Sequence, residues 1–423
     1  MIVQRVIFVC RHFKENTGSY AGFIEQMAKY FQKKGISVEI YCCRTNLDDD
    51  ADERLPFARV IRFPVPRIHI PLLGMNLDYL CLAWNLRKYL RKHPLGTEEI
   101  VIANGRAALG LPCNSYILRF GQPAQQFHKN MEIAKDRVSM ISRIARTIHF
   151  WFQAIMEKKC VRNARGFIFP SEQTAFLCYD TYGKKNASQF IPQAGIRYSK
   201  LSAHHRYLSN PGDLLFISAG REPIRKGLHY LESVLPVLFA EYPNIKLWYI
   251  GDQIKLRVPD WCLHRVHFTG RVAWEDMRSY FRPGTIAVFC ALNEGMANAL
   301  LEAMAAGCAV VTSDIEGIHE YMKSGRDGIV YPRGDSVSLR EGIAKLLSDS
   351  ALCQRMGKNA MKRVKPLRYE YFCRQLESYI KQIFRVENSS FSRKSRLLQG
   401  TVTDKITLPS EKTAPLRISL LRF

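Results

Sequence analysis

The stretch from Ile286 to Asp314 limits the possible folds of this chain more than any other. A run of strand formers, Ile286-Ala287-Val288-Phe289-Cys290, leads into Asn293-Glu294-Gly295. An Ala/Leu/Met-rich segment follows until Gly307 stops it, and Ala309-Val310-Val311 resumes the strand pattern. Strand, loop, helix, strand is the repeating unit of an open α/β sheet. Such sheets bind ligands at the carboxyl ends of their strands, where the following helix aims its unpaired N–H groups and positive dipole end at the loop. An anion is the expected guest. Glu294 and Glu302 are eight positions apart, about two helical turns, and so lie near one face. Carboxylates repel phosphate but accept hydrogen bonds from sugar hydroxyls.

That spacing, Glu-x7-Glu, with Gly295 after the first Glu and Ala303-Met304-Ala305-Ala306-Gly307 after the second, resembles the signature of family 4 glycosyltransferases. The resemblance implies a GT-B fold, two doubly wound Rossmann-like α/β domains facing across a cleft. It also implies transfer of a hexose from a nucleotide-sugar donor, taken as a UDP-sugar, with retention of anomeric configuration and without cofactor or bound metal. By motif position Glu294 would touch the transferred sugar and Glu302 the nucleotide ribose, with Ala297 and Asn298 at the helix start facing the diphosphate. The segment Gly220-Arg221-Glu222-Pro223-Ile224-Arg225-Lys226-Gly227 is similar to the family's Gly-Arg…Lys-Gly, one residue shorter between Arg and Lys than in many members. There Arg221 would grip the diphosphate bidentately and Lys226 would add a point charge. In the first strand-to-helix loop, Gly18 and Ser19 fall where the family usually has two glycines close to the donor, Ser19 replacing the second. His128 is the acceptor-side candidate from the N-terminal half.

The 423 residues carry a net charge of +24, which favours phosphorylated substrates, an anionic membrane surface or nucleic acid as partners. No zinc-finger spacing or aromatic RNA-binding signature supports nucleic acid, so a basic nucleic-acid-binding protein is the rival of another class. The 12 cysteines include no Cys-x-x-Cys pair, and most read as buried free thiols of a reducing cytosol. No uninterrupted apolar run has membrane-spanning length, which places the chain in the cytoplasm or peripherally at the inner face of the membrane. The run Asp48 to Glu53 lacks the alternating ligands and central Gly of a calcium loop and reads as a solvated loop.

From Arg137 to Arg165 one helical stripe carries Ile141, Ile144, Ile148, Trp151, Phe152 and Ile155, with basic residues off it, Arg143, Arg146 and Lys158 among them. Such a helix can lie on anionic headgroups through these three residues, or be a core helix with a solvated basic back. The expected organisation is an N-terminal acceptor-side domain (1–197), a linker (198–212), a nucleotide-sugar-binding domain (213–366), a helix packing back on the first domain (367–385) and a disordered basic tail (386–423). The acceptor is expected to be a cell-envelope glycolipid or glycan, similar to that of the lipopolysaccharide core glucosyltransferases. A soluble member acting on a small molecule or a protein is the alternative.

Overall fold

The computed structural model describes residues 3–14, 18–44, 51–65, 73–183, 190–192, 209–218, 222–252, 254–273, 276–295 and 298–384. The N-terminal half runs β1 (Arg5–Val9), α1 (Gly18–Lys33), β2 (Ser37–Cys43), β3 (Asp52–Leu55), β4 (Ala58–Phe63), α2 (Leu73–Lys92), β5 (Glu99–Asn104), β6 (Tyr116–Arg119), α3 (Ala124–Met131), α4 (Met140–Asn163), β7 (Gly166–Phe169), α5 (Glu172–Tyr182) and β8 (Phe190–Pro192). The second half runs β9 (Leu214–Ser218), α6 (Leu228–Glu241), β10 (Leu247–Gly251), α7 (Asp260–Leu263), β11 (Val266–Gly270), β12 (Ile286–Phe289), α8 (Asn298–Ala305) and β13 (Ala309–Ser313). It closes with α9 (Ile318–Tyr321), β14 (Ile329–Tyr331), α10 (Ser336–Ser348), α11 (Ser350–Val364) and α12 (Tyr369–Phe384).

The strands form two sheets, ordered β3-β4-β2-β1-β5-β6-β7-β8 and β11-β10-β9-β12-β13-β14, parallel throughout except for the β3–β4 hairpin. Both faces of each sheet are covered, so the central strands are apolar on both sides. In the first sheet Val6 and Phe8 pack towards α1 and α12, while Ile7 and Val9 pack towards α2 and α4. In the second, Leu214 and Phe216 meet α6 and α10, and Leu215 and Ile217 meet α8. The strand order reverses beside β1 in one sheet and beside β9 in the other. The β9–α6 and β12–α8 loops therefore flank a crevice of the kind in which open sheets hold ligands.

Two local readings are corrected. The acidic run is not a loop to its end: Asp52 and Glu53 belong to edge strand β3, where Arg59 bonds Asp52 and Arg62 bonds Glu53 across the hairpin. Gly18 and Ser19, read as residues of the first strand-to-helix loop, already belong to the first turn of α1. The linker to residue 208 and the tail from residue 385 lie outside the described residues. Helix α12 lies on the first sheet: Phe372, Cys373, Leu376 and Ile380 join the core of β1 and α1, and Tyr379 Oη accepts from Phe167 N at 2.9 Å.

Helix α4 turns its polar side inward. Glu157 accepts from Arg106 Nη1 at 2.7 Å, Tyr182 Oη at 2.5 Å and Ala124 N at 2.9 Å. Gln153 Oε1 also takes Arg106 Nη1, at 2.6 Å, and His149 is bonded to Asn76 and Gln153. With these hydrogen bonds directed inward, the apolar stripe is left on the outside. Ile141 is 81 % exposed, Trp151 62 % and Ile144 53 %, and Ile148, Phe152 and Ile155 also face solvent. Helix α2, packed beside α4, exposes Leu80 and Trp84. Among the described residues no helix is long and apolar enough to cross a membrane.

Candidate active site

A glycine builds the centre of the site. Gly227 has φ +69°, and a Cβ there would stand 1.8 Å from the carbonyl oxygen of Cys290, so no other residue fits. That contact presses the loop before α6 against the end of β12, and Leu292 N donates to Arg225 O at 2.8 Å. Arg225 and Lys226 are thereby brought onto the loop that carries Glu294. Arg225 Nη1 donates to Glu294 Oε1 at 2.8 Å and to Asn293 O at 3.0 Å. Lys226 Nζ is paired with the same Glu294 oxygen, and Glu222 binds Arg225 Nε from the solvent side. Burial alone would raise the Glu294 pKa, but the two cations outweigh it and hold the carboxyl below its ordinary value.

The two halves meet at this loop. Gly295 packs against Gly121: a Cβ at Gly295 would stand 3.7 Å from the Gly121 Cα. Asn130 Nδ2, from α3, donates to Asn293 Oδ1 at 2.7 Å and to Glu316 Oε1 at 2.9 Å, and Arg333 Nη1 reaches the same Glu316 oxygen at 3.1 Å. Further along the rim, Glu320 caps α5 by accepting from Glu172 N and Gln173 N at 2.8 and 3.0 Å, and Gln173 Oε1 accepts from Gly317 N at 2.6 Å.

Of the residues singled out in the sequence, the structure brings Lys226 and Glu294 together. Glu302 sits one turn into α8, partly exposed, and Asn298 opens that helix. Arg221 and Ala297 lie outside the described residues. Gly18 and Ser19 stand at the start of α1, on the edge of the first sheet that faces the crevice. His128 Nε2 is 3.2 Å from Thr147 Oγ1 and its ring stacks on Phe150, both of α4, and Asn130 is an α3 residue that reaches the second half. Arg146 and Lys158 lie on α4, Lys158 exposed, but Arg143 is tied to Glu132 at 3.1 Å. Arg225, Asn130 and Glu316 were not found by sequence reasoning. The Arg225-Lys226 doublet was a usable signal, whereas Asn130 and Glu316 carry none until the domains are placed.

Residues 200–363 match the family described as "Glycosyl transferases group 1". A phosphatidyl-myo-inositol mannosyltransferase of Mycobacterium leprae is 32 % identical over 148 residues, covering 34 % of this chain and 39 % of the relative. The lipopolysaccharide core biosynthesis glycosyltransferase LpsE of Rhizobium meliloti is 29 % identical over 157 residues, covering 35 % and 44 %. The chain thus spans roughly two-fifths of the length of these curated relatives, by the 39 % and 44 % just given. Among solved structures, a sucrose-phosphate synthase from Thermosynechococcus elongatus superposes with TM-score 0.72 at 18 % identity, over 91 % of this chain and 100 % of that one. WaaG, a glycosyltransferase involved in lipopolysaccharide biosynthesis, superposes with TM-score 0.65 at 16 % identity, over 89 % and 99 %. At these identities the likeness speaks for the fold, the two-domain GT-B arrangement.

Proposed function

We propose that this chain, whose residues 200–363 match the glycosyl transferases group 1 family, transfers a hexose from a nucleotide-sugar donor to a lipid-linked glycan at a membrane surface. The donor is taken as a UDP-sugar, and the transfer as retaining and metal-independent. The observation that carries the reading is the Arg225–Lys226–Glu294 cluster at the crevice between the two sheets. Breaking the bond between sugar and phosphate leaves negative charge on the diphosphate and positive charge on the anomeric carbon. Lys226 and the N-terminal end of α8 meet the first of these, and fixed charge of this kind is often the largest catalytic contribution. Arg225 is held by Asn293 O as well as by Glu294. It keeps the carboxylate placed for the sugar hydroxyls while Lys226 turns to the diphosphate. Retention then follows from attack on the face that the diphosphate leaves, and no protein nucleophile is assigned.

The acceptor reading rests on α4 and on relatives named for phosphatidyl-myo-inositol and for lipopolysaccharide core. An exposed apolar stripe flanked by Arg146, Lys158 and Lys159 fits the boundary between headgroups and acyl chains, where apolar insertion and attraction to anionic lipid act together. The test is a nucleotide-sugar panel scored by donor hydrolysis and thermal shift. One UDP-sugar should stabilise the protein and be hydrolysed slowly. The absence of both stabilisation and hydrolysis with every member of the panel would overturn the reading.

A further inference from the structure

At the carboxyl end of β6 a guanidinium stands without a counter-charge. Arg119 donates from Nη1 to the neutral Asn104 Oδ1 at 2.8 Å and lies over the rings of Tyr20 and Phe23, 4.7 and 5.0 Å from their centroids. Its Nε is buried with no hydrogen-bond partner, and so is the Tyr20 hydroxyl. Among the described residues no carboxylate is paired with it. Other shielded arginines are treated differently. Arg106 has Glu157, Arg225 has Glu294 and Arg333 has Glu316, while Arg265 is met by the backbone carbonyls of Phe239, Tyr242 and Pro243. Two rings and one amide stabilise a cation but do not neutralise it. A shielded charge left this way costs stability and marks a place where function sets the side chain.

The position is informative. Arg119 is two residues before Gly121, which abuts Gly295 next to Glu294, and Tyr20 lies in the first turn of α1, whose positive end opens on the same edge of the sheet. Arg119 as a residue is partly exposed, while its Nε and the Tyr20 hydroxyl are covered, so an oxyanion would enter from the open side of the guanidinium and reach the hydroxyl by a small side-chain shift. We propose that Arg119, with the Tyr20 hydroxyl, binds an oxyanion carried by the glycan acceptor, a phosphate or a carboxylate. The proposal rests on the reading of the chain as a glycosyltransferase. An oxyanion offers the guanidinium the charge-assisted bonds that Asn104 cannot, and accepts from the Tyr20 hydroxyl as well.

The test uses the full chain in thermal-shift titrations at constant ionic strength, with inorganic phosphate and with glucuronate, each in the absence of UDP and at saturating UDP. At least one anion should raise Tm saturably, and should still do so when UDP fills the donor site. Arg119→Met keeps the aliphatic packing against the rings and removes the charge. It should abolish the anion shift, leave UDP affinity unchanged, and have a Tm no lower than wild type. Asn104→Asp keeps the guanidinium but supplies a carboxylate partner, and should weaken anion binding by about tenfold or more while raising Tm. The proposal is overturned if wild type shows no saturable shift, if Arg119→Met retains it, or if UDP abolishes it, which would assign the cation to the donor. Should Arg119→Met fail to fold, Asn104→Asp decides alone, and undiminished anion binding in that variant overturns the proposal. Failure of the glycosyltransferase reading would look different: no nucleotide-sugar or UDP binding in wild type, whatever the anions do.

Discussion

Lys226 Nζ and Arg225 Nη1 share one oxygen of Glu294, so the cation assigned to the diphosphate and the carboxylate assigned to the sugar are each other's partners. Under the proposed roles, donor binding separates them. Lys226→Ala should therefore leave Glu294 anchored by Arg225 and the fold intact, while turnover falls by about 10²–10³. Steady-state hydrolysis together with a melting curve measures both; activity within a few-fold of wild type in folded protein would remove Lys226 from the mechanism.

The two carboxylates of the motif are in different places, Glu294 between two cations and Glu302 one turn along α8. Glu302→Ala should weaken free UDP, and Glu294→Ala should weaken the intact donor and leave UDP nearly unchanged. Titration calorimetry with both ligands separates the roles, and equal losses from both variants on both ligands would contradict them.

The outer face of α4 should bring the protein to anionic vesicles by two routes. Salt weakens the attraction of the basic residues but not the insertion of Ile144, Ile148 and Trp151. Flotation should show binding that is reduced, not abolished, at high ionic strength. The combined Ile144→Glu, Ile148→Glu and Trp151→Glu change should abolish it with Tm maintained, because these side chains face solvent. Full binding by that variant would assign attachment to another surface.

His229, at the start of α6, has its pKa lowered from 6.5 to about 4, by burial first and then by Arg137. Above pH 6.5 neither the folded nor the unfolded form carries the proton, and the residue has no effect on stability. Between about 6.5 and about 4 the unfolded chain binds a proton that the native protein does not, so this residue lowers stability as pH falls through that window. His229→Gln should flatten that part of the Tm profile, and the ring protons should titrate near pH 4 by NMR. A midpoint at the ordinary histidine value would contradict the assignment.

The parallel sheets were legible because strands buried on both faces leave apolar runs such as Leu214 to Ile217 and Ala309 to Val311. The Lys226–Glu294 pairing was half legible. The motif named both residues, but their contact depends on Gly227 lying against Cys290, which no spacing reveals. On α4 the periodicity was correct and its two possible orientations stayed open, because Arg106, 51 residues away from Glu157, is what draws the polar side inward. Asn130 and Glu316 stayed hidden for the same reason, their significance arising only across the cleft, 186 residues apart in the chain.

Helix α12 gives the order of synthesis a physical meaning. Tyr30 Oη donates to Glu377 Oε2 at 2.7 Å across a separation of 347 residues, and Phe372 packs on Phe23. The first sheet to leave the ribosome thus carries an open apolar flank until nearly all of the described chain has emerged, and closing it is a late, long-range event of the slow kind. A fragment ending at residue 366 should hold a complete second domain beside a first one that is still sticky, protease-sensitive and dependent on chaperones.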